Sequence, residues 1–336
     1  MPQIDMHSHI IPAEFPPPSL SRTESWPRVE VAESGQGRVV VSGSVRYNAH
    51  ELYYDRERRL ENMAAHGIDA EVISPLPNLM NYTLPADEGS AYCRALNEYI
   101  LEVCQADSKR FFGLATLPLQ DPDFASKELT ALKQSGISGV IVGSSVNGVS
   151  IAAERFRGVF QELERLDLPV FVHTITPGPG EHLPQSAALT FGFAAEIALA
   201  TAGLLTGGIV EACPDLRIAV SHGGGGFALM LARARYFWGR TWNEEPPLEG
   251  FGRGPDPAQL ARRLWYDALV HDARALRYLV EMLGPSRLML GSDFPAMSRE
   301  QPHGKTLRSL GLSDDDVQDI AWRNAFRWLG VSAPAL

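Results

Sequence analysis

Apolar runs of strand length that stop at a histidine or an aspartate most constrain what this chain can fold into. Near the start, Ile4-Asp5-Met6-His7-Ser8-His9 ends in two imidazoles. Pro169-Val170-Phe171-Val172-His173, Ile218-Ala219-Val220-Ser221-His222 and Leu288-Met289-Leu290-Gly291-Ser292-Asp293 repeat the pattern. A strand buried on both faces reads as a continuous apolar run. A polar residue at its end sits at the carboxyl end of the strand, where closed parallel barrels hold their reacting groups.

Four further runs complete a set of eight: Asp69–Ser74, Arg110–Leu117, Gly139–Gly143 and Leu264–Val270. Amphipathic segments with apolar residues at helical spacing lie between them, at residues 55–66, 88–105, 125–134, 152–166 and 274–283. Gly67, Gly136 and Gly284 are placed to end three of these helices, and Cys213-Pro214-Asp215 ends a long apolar helix from about Ala187. Eight strand-then-helix units in one 336-residue chain predict a (β/α)8 TIM barrel, as a single domain spanning residues 1–336. An open doubly wound sheet is the alternative, but no G-x-G-x-x-G follows the first strand. Between about residues 16 and 46 the alternation breaks. Arg28–Val31 and Arg38–Val41 flank Glu33–Gly37, predicting a small inserted β-hairpin after the first strand, reached through Pro16-Pro17-Pro18. The stretch Trp242–Asp256 reads as a surface loop.

With a net charge of −10, the chain is not expected to bind nucleic acid or an anionic membrane, both of which recruit clustered Lys and Arg. No apolar stretch is expected to span a bilayer, no signal peptide is read at the N-terminus, and a cytoplasmic setting is expected. Cys93, Cys104 and Cys213 are odd in number and lack C-x-x-C spacing, so they are expected to be reduced, mostly buried thiols.

His7 and His9 are two apart on a strand and point to one side. His173 and Asp293 end later strands of the same barrel, so the four converge as candidate metal ligands. Three imidazoles and a carboxylate suit one divalent ion, zinc first, with manganese, iron or cobalt compatible. The fourth strand runs out at Gly143-Ser144 with no lysine, so a carboxylated lysine bridging two metals is not expected. His222 precedes Gly223–Gly226. It reads either as a fifth ligand or packing residue, or as a free general acid/base beside the metal. The H-G-G-G run is not matched by a serine nucleophile elbow, because Gly143-Ser144-Ser145-Val146-Asn147 fails at its last position.

His7-Ser8-His9, His173, His222-Gly223-Gly224-Gly225 and Gly291-Ser292-Asp293-Phe294-Pro295, in this order, resemble the amidohydrolase superfamily. More narrowly they resemble its non-hydrolytic decarboxylases, of the aminocarboxymuconate semialdehyde decarboxylase type. The resemblance implies that His7, His9, His173 and Asp293 hold the metal and that His222 activates water or delivers a proton; on chemical grounds Asp293 is expected to serve as both ligand and proton shuttle. It also implies that Arg46 binds the substrate carboxylate and that Arg233 reaches across a homodimer interface to the neighbouring site. A guanidinium fork suits a carboxylate. Arg235 is expected to be a surface or interface residue, and His182 a solvated loop histidine. Two stretches depart from the typical aminocarboxymuconate enzyme: Thr174–His182 lacks its aromatic and basic residues, and Ala296 stands where it has an aromatic.

The function expected is metal-dependent, non-oxidative decarboxylation of a small unsaturated or aromatic carboxylic acid. A metal-dependent hydrolase or hydratase of a lactone or ring-cleavage product would use the same five residues. A metal-storing or scaffold barrel is the non-enzymatic alternative.

Overall fold

The computed structural model describes residues 1–15, 26–31, 37–42, 45–176, 183–184, 187–238 and 255–335. Strand β1 (Ile4–Ile10) is followed by β2 (Arg28–Val31), β3 (Arg38–Ser42) and β4 (Val45–Ala49). Next come β5 (Ala70–Pro75), β6 (Phe111–Ala115), β7 (Gly139–Gly143) and the short pair β8 (Ser145–Val146) and β9 (Val149–Ser150). The last four are β10 (Val170–His173), β11 (Ile218–Val220), β12 (Trp265–Asp267) and β13 (Leu288–Met289). One eight-stranded parallel sheet runs in the order β1-β5-β6-β7-β10-β11-β12-β13. Its ends meet: Met6 N–H donates to the Leu290 carbonyl at 2.9 Å, and His9 N–H to the Phe294 carbonyl at 2.7 Å. The expected barrel is therefore the fold.

The apolar runs end up where their composition requires. All residues of β1, β5, β7 and β10 are buried. Helices lie between successive strands and start at the residues whose side chains can satisfy free amides. Asp55 accepts from the N–H groups of Glu57 and Arg58 to open helix Arg56–His66, and Asp272 does the same for helix Ala273–Leu283. Gly67, Gly136 and Gly284 all take positive φ, ending their helices as expected.

Two expectations need correction. The insertion is a three-stranded antiparallel sheet, β2-β3-β4, so Arg46 lies inside a strand and not after a hairpin. The third strand, Val45-Arg46-Tyr47-Asn48-Ala49, has a single turn-length gap before it and no Gly-Asn or Asn-Gly signal after it. The long apolar helix is interrupted: a π-helical turn at Ala188–Gly192 leads into helix Phe193–Thr206, and Gly207-Gly208 separates that from Ile209–Ala212. By length and composition alone, residues Ala188–Thr206 would suffice to cross a membrane, with mean hydropathy 1.7. One face of this helix, including Ile197, Ala200, Thr201 and Leu204, is nevertheless buried within the protein. The Pro16–Pro18 stretch, His182, residues 33–36 and most of Trp242–Asp256 lie outside the described residues.

Candidate metal centre

Ligand-type atoms of His7, His9, His173 and Asp293 lie within 4.8 Å of one another at the carboxyl ends of β1, β10 and β13, and all four residues are buried. His7 Nε2 and His9 Nε2 are 3.2 Å apart. Asp293 Oδ1 stands 3.4 Å from His7 Nε2, 2.9 Å from His9 Nε2 and 3.9 Å from His173 Nε2. The remaining ring nitrogens are all anchored outward. His7 Nδ1 meets Asp267 Oδ2 at 2.6 Å, His9 Nδ1 the Ser74 hydroxyl at 2.9 Å, and His173 Nδ1 the Thr174 carbonyl at 2.5 Å. An imidazole that donates through Nδ1 presents the lone pair of Nε2. His173 Nε2 is fully buried and has no hydrogen-bond partner. A buried nitrogen left without a partner is costly, and a divalent ion among these atoms would satisfy it. The donor set fits the ion.

Local backbone geometry places these groups. Asp293 has φ +59° and His222 φ +54°, left-handed conformations that non-glycine residues adopt at a cost of about 1–2 kcal/mol. Asp293 N–H donates to the His7 carbonyl at 2.8 Å, which holds this candidate ligand against the first strand. His222 is outside the four-residue cluster, its ring centroid 5.4 Å from that of His7 and 5.1 Å from that of His173. Among the described residues nothing hydrogen-bonds its ring. The glycines after it are required by space as well as by φ. A Cβ on Gly225 would stand 2.0 Å from the Ala194 carbonyl oxygen, so helix Phe193–Thr206 packs directly on this turn.

Electrostatics follow from burial and from the shared carboxylates. Burial lowers the pKa of His173 well below its usual value, and lowers that of His222. Burial also opposes protonation of His7, but the carboxylates of Asp293 and Asp267 outweigh it and raise its pKa. Burial works against ionisation of Asp293, yet the neighbouring imidazoles hold it ionised.

Beneath the ligands is a buried ionic lattice that sequence reading missed. Arg299 bridges Asp5 and Glu71, and Arg59 pairs with Glu71 at 2.5 Å while donating to the His9 carbonyl at 2.8 Å. Asp5 also accepts from the Ser292 N–H at 3.0 Å. Charged residues far apart in sequence carry no local signal that they will meet. Asp267, which ends β12, and Ser74, one residue before the end of β5, were missed too.

The two predicted substrate arginines are exposed and are not among the four clustered residues. Arg46 is exposed and donates to Glu30 at 3.0 Å. Its strand neighbour Tyr47 is half-buried and hydrogen-bonds the Tyr53 hydroxyl, and both phenols feel the charge of Asp293. Arg233 is exposed on helix Phe227–Phe237, with its guanidinium 5.1 Å from the Phe237 ring centre. Arg235 pairs with Asp256 at 3.3 Å. Where a bridging lysine would stand, Ser144 donates to Glu196 at 3.2 Å. Cys93 and Cys213 are buried, Cys104 is half-buried, and all three are free thiols, with burial pushing them up to about 12, 11 and 12 respectively.

A closed parallel barrel with this rim of ligands defines a class, and the amidohydrolase family signature matches residues 4–331: the chain belongs to that family. The chain is 27% identical over 335 residues to 2-amino-3-carboxymuconate-6-semialdehyde decarboxylase of Dictyostelium discoideum, covering 98% of this chain and 92% of that protein. It is 29% identical over 269 residues to gamma-resorcylate decarboxylase of a Rhizobium species, covering 75% of this chain and 78% of that one. Among solved structures, a dihydroxybenzoic acid decarboxylase of a Polaromonas species, holding manganese and the inhibitor 2-nitroresorcinol, matches with a TM-score of 0.76 at 19% identity. That match covers 98% of this chain and 97% of the other, and it is a likeness of fold.

Proposed function

We propose that the protein is a metal-dependent, non-oxidative decarboxylase of a small aromatic or unsaturated carboxylic acid, acting as one domain. The observation that carries this is the set of three converging Nε2 atoms and one carboxylate oxygen, with every Nδ1 anchored and His222 alongside. The named relatives are decarboxylases. His7, His9, His173 and Asp293 hold one divalent ion, and their nitrogen-rich chemistry suits zinc, with manganese the ion of the Polaromonas protein. When bound among these residues, a divalent ion would supply positive charge that stabilises negative charge on a substrate oxygen.

Breaking the bond to CO2 leaves an electron pair on an sp2 carbon, so that carbon has to be protonated as the bond breaks or before. We assign delivery of this proton to His222, which lies beside His7 and His173; burial lowers its pKa, so the ring rests neutral and takes up a proton from water or from an acidic group of the substrate before giving it to the carbon. The C–C bond then cleaves, its electrons restore the unsaturated system, and CO2 departs. Asp293, beside His7 and His9, is ligand and proton shuttle together. Arg46 and Arg233 are the carboxylate binders in this reading. Arg46 has to exchange Glu30 for substrate, and Arg233 acts in the neighbouring subunit's site. Supporting a homodimer, helices Phe193–Thr206 and Phe227–Phe237 pack together and leave Leu199, Leu229 and Met230 more than half exposed. The three free thiols suit a reducing, cytosolic setting.

The test is a panel of ortho-hydroxybenzoates and unsaturated dicarboxylic acids, assayed for CO2 and for ring opening separately. Release of CO2 with no ring opening is expected. Ring opening of a lactone without CO2 would replace this reading with hydrolysis.

A further inference from the structure

We propose that Asp267, at the end of the seventh barrel strand, is a positioning residue that fixes the tautomer of His7 and the seat of His222 together. The proposal rests on the four-ligand metal reading above.

The Asp267 carboxylate is completely buried and is filled by four N–H donors. Oδ2 accepts from His7 Nδ1 at 2.6 Å and from the His222 main-chain N–H at 2.9 Å. Oδ1 accepts from Gly223 N–H at 2.8 Å and from Leu269 N–H at 3.2 Å. The other two imidazoles are anchored to neutral acceptors, a hydroxyl and a carbonyl. Only His7 is anchored to a carboxylate, which holds its proton on Nδ1, leaves Nε2 free as a lone pair and raises its basicity as a ligand.

The same carboxylate controls an improbable piece of backbone. Five successive residues, His222 to Gly226, have positive φ, and left-handed residues ordinarily occur singly. The amides of the first two point into Asp267. Metal ligand and proton donor therefore share one anchor, and displacing it moves both. Ser74 and Thr174, which anchor only a ligand, have no such reach.

Asparagine in this place makes a sharp test. Its amide nitrogen is a donor, so where it faces His7 the imidazole has to offer Nδ1 as acceptor and carry its proton on Nε2, the atom that should bind metal. Mn2+ titrated into metal-free protein, followed by loss of the free-ion paramagnetic resonance signal, should give a dissociation constant 10–100-fold weaker for Asp267→Asn than for wild type. The metal-free variant should melt lower than metal-free wild type, because the amide nitrogen faces at least one main-chain N–H in either placement, so affinity and kcat are compared at a temperature where both proteins are folded. At saturating Mn2+, with an acid turned over in the panel above, kcat should still be reduced, because His222 has lost its anchor, while KM changes little. Should Asp267→Asn not fold, Asp267→Glu keeps the buried charge but shifts the carboxylate by one methylene, and should weaken Mn2+ binding likewise. Wild-type affinity and saturated kcat within twofold in the folded variant would overturn the role of Asp267 alone. Wild-type protein that takes up no Mn2+, Zn2+, Co2+ or Fe2+ would overturn the metal reading and this proposal with it.

Discussion

At the scale of single residues, the candidate ligands were legible because they stand at or near the end of apolar runs, and a strand's end is a position the fold brings to one rim. His222 has the same signature yet stands outside the cluster, which gives it a different expected loss. His222→Ala should keep the metal and the fold and lower turnover by about two to four powers of ten. Elemental analysis beside steady-state kinetics checks this, and loss of metal in the variant would make His222 a ligand. His7→Ala or Asp293→Ala should instead lower the metal content sharply. Asp267 was legible by the same rule and was passed over because its strand continues, in sequence, as the apolar Ala268-Leu269-Val270. The strand itself stops at Asp267, whose Oδ1 accepts the Leu269 N–H and turns the chain.

At the scale of elements, the order of the eight barrel strands was readable, because burial on both faces leaves an apolar run and helices show their own period, whereas the short pair β8 and β9 carries no such run. Pairing between distant charges was not readable. Asp5 on β1, Glu71 on β5, Arg59 on helix Arg56–His66 and Arg299 after the last strand meet only in the folded barrel. Arg299 is fully buried, so Arg299→Ala leaves two buried carboxylates short of a partner. A loss of about 3–5 kcal/mol is expected, measured by chemical denaturation. A change under about 1 kcal/mol would mean that the lattice relaxes or admits water. The insertion was half legible: its first two strands alternate around a glycine-rich turn, whereas β4 had to be recognised by its partner β3.

For the whole molecule, the buried histidines give the metal-free protein a pH dependence of definite sign. His9, His173, His222 and His303 all have pKa values lowered from 6.5, with burial the main cause. Below about 6.5 the unfolded chain takes up protons at these positions that the folded chain does not, so stability falls as pH falls through that range. His7, with its pKa raised against burial by Asp293 and Asp267, works the other way. Its contribution is complete below 6.5 and is lost as pH rises through its folded value. Four groups against one predict a melting temperature that drops from pH 7 to pH 5.5 in metal-free protein. A flat or rising profile would contradict these directions. The assembly makes its own prediction. If Arg233 completes the neighbouring site, mixing inactive Arg233→Ala and His222→Ala dimers under subunit exchange should restore up to about half of one dimer's activity, since two-fold symmetry leaves one intact site per heterodimer. Verified heterodimers that stay inactive would end the shared-site account.

The central claim is that one divalent ion, held by His7, His9, His173 and Asp293, is required for decarboxylation. Its most direct test is to strip the protein of metal, return Zn2+ or Mn2+ in measured steps, and follow release of labelled CO2 from a carboxylate-labelled acid. The account predicts no release from stripped protein and full release at one equivalent per chain, with no recovery in His7→Ala. Release from metal-free protein, or a requirement for two equivalents, would contradict it.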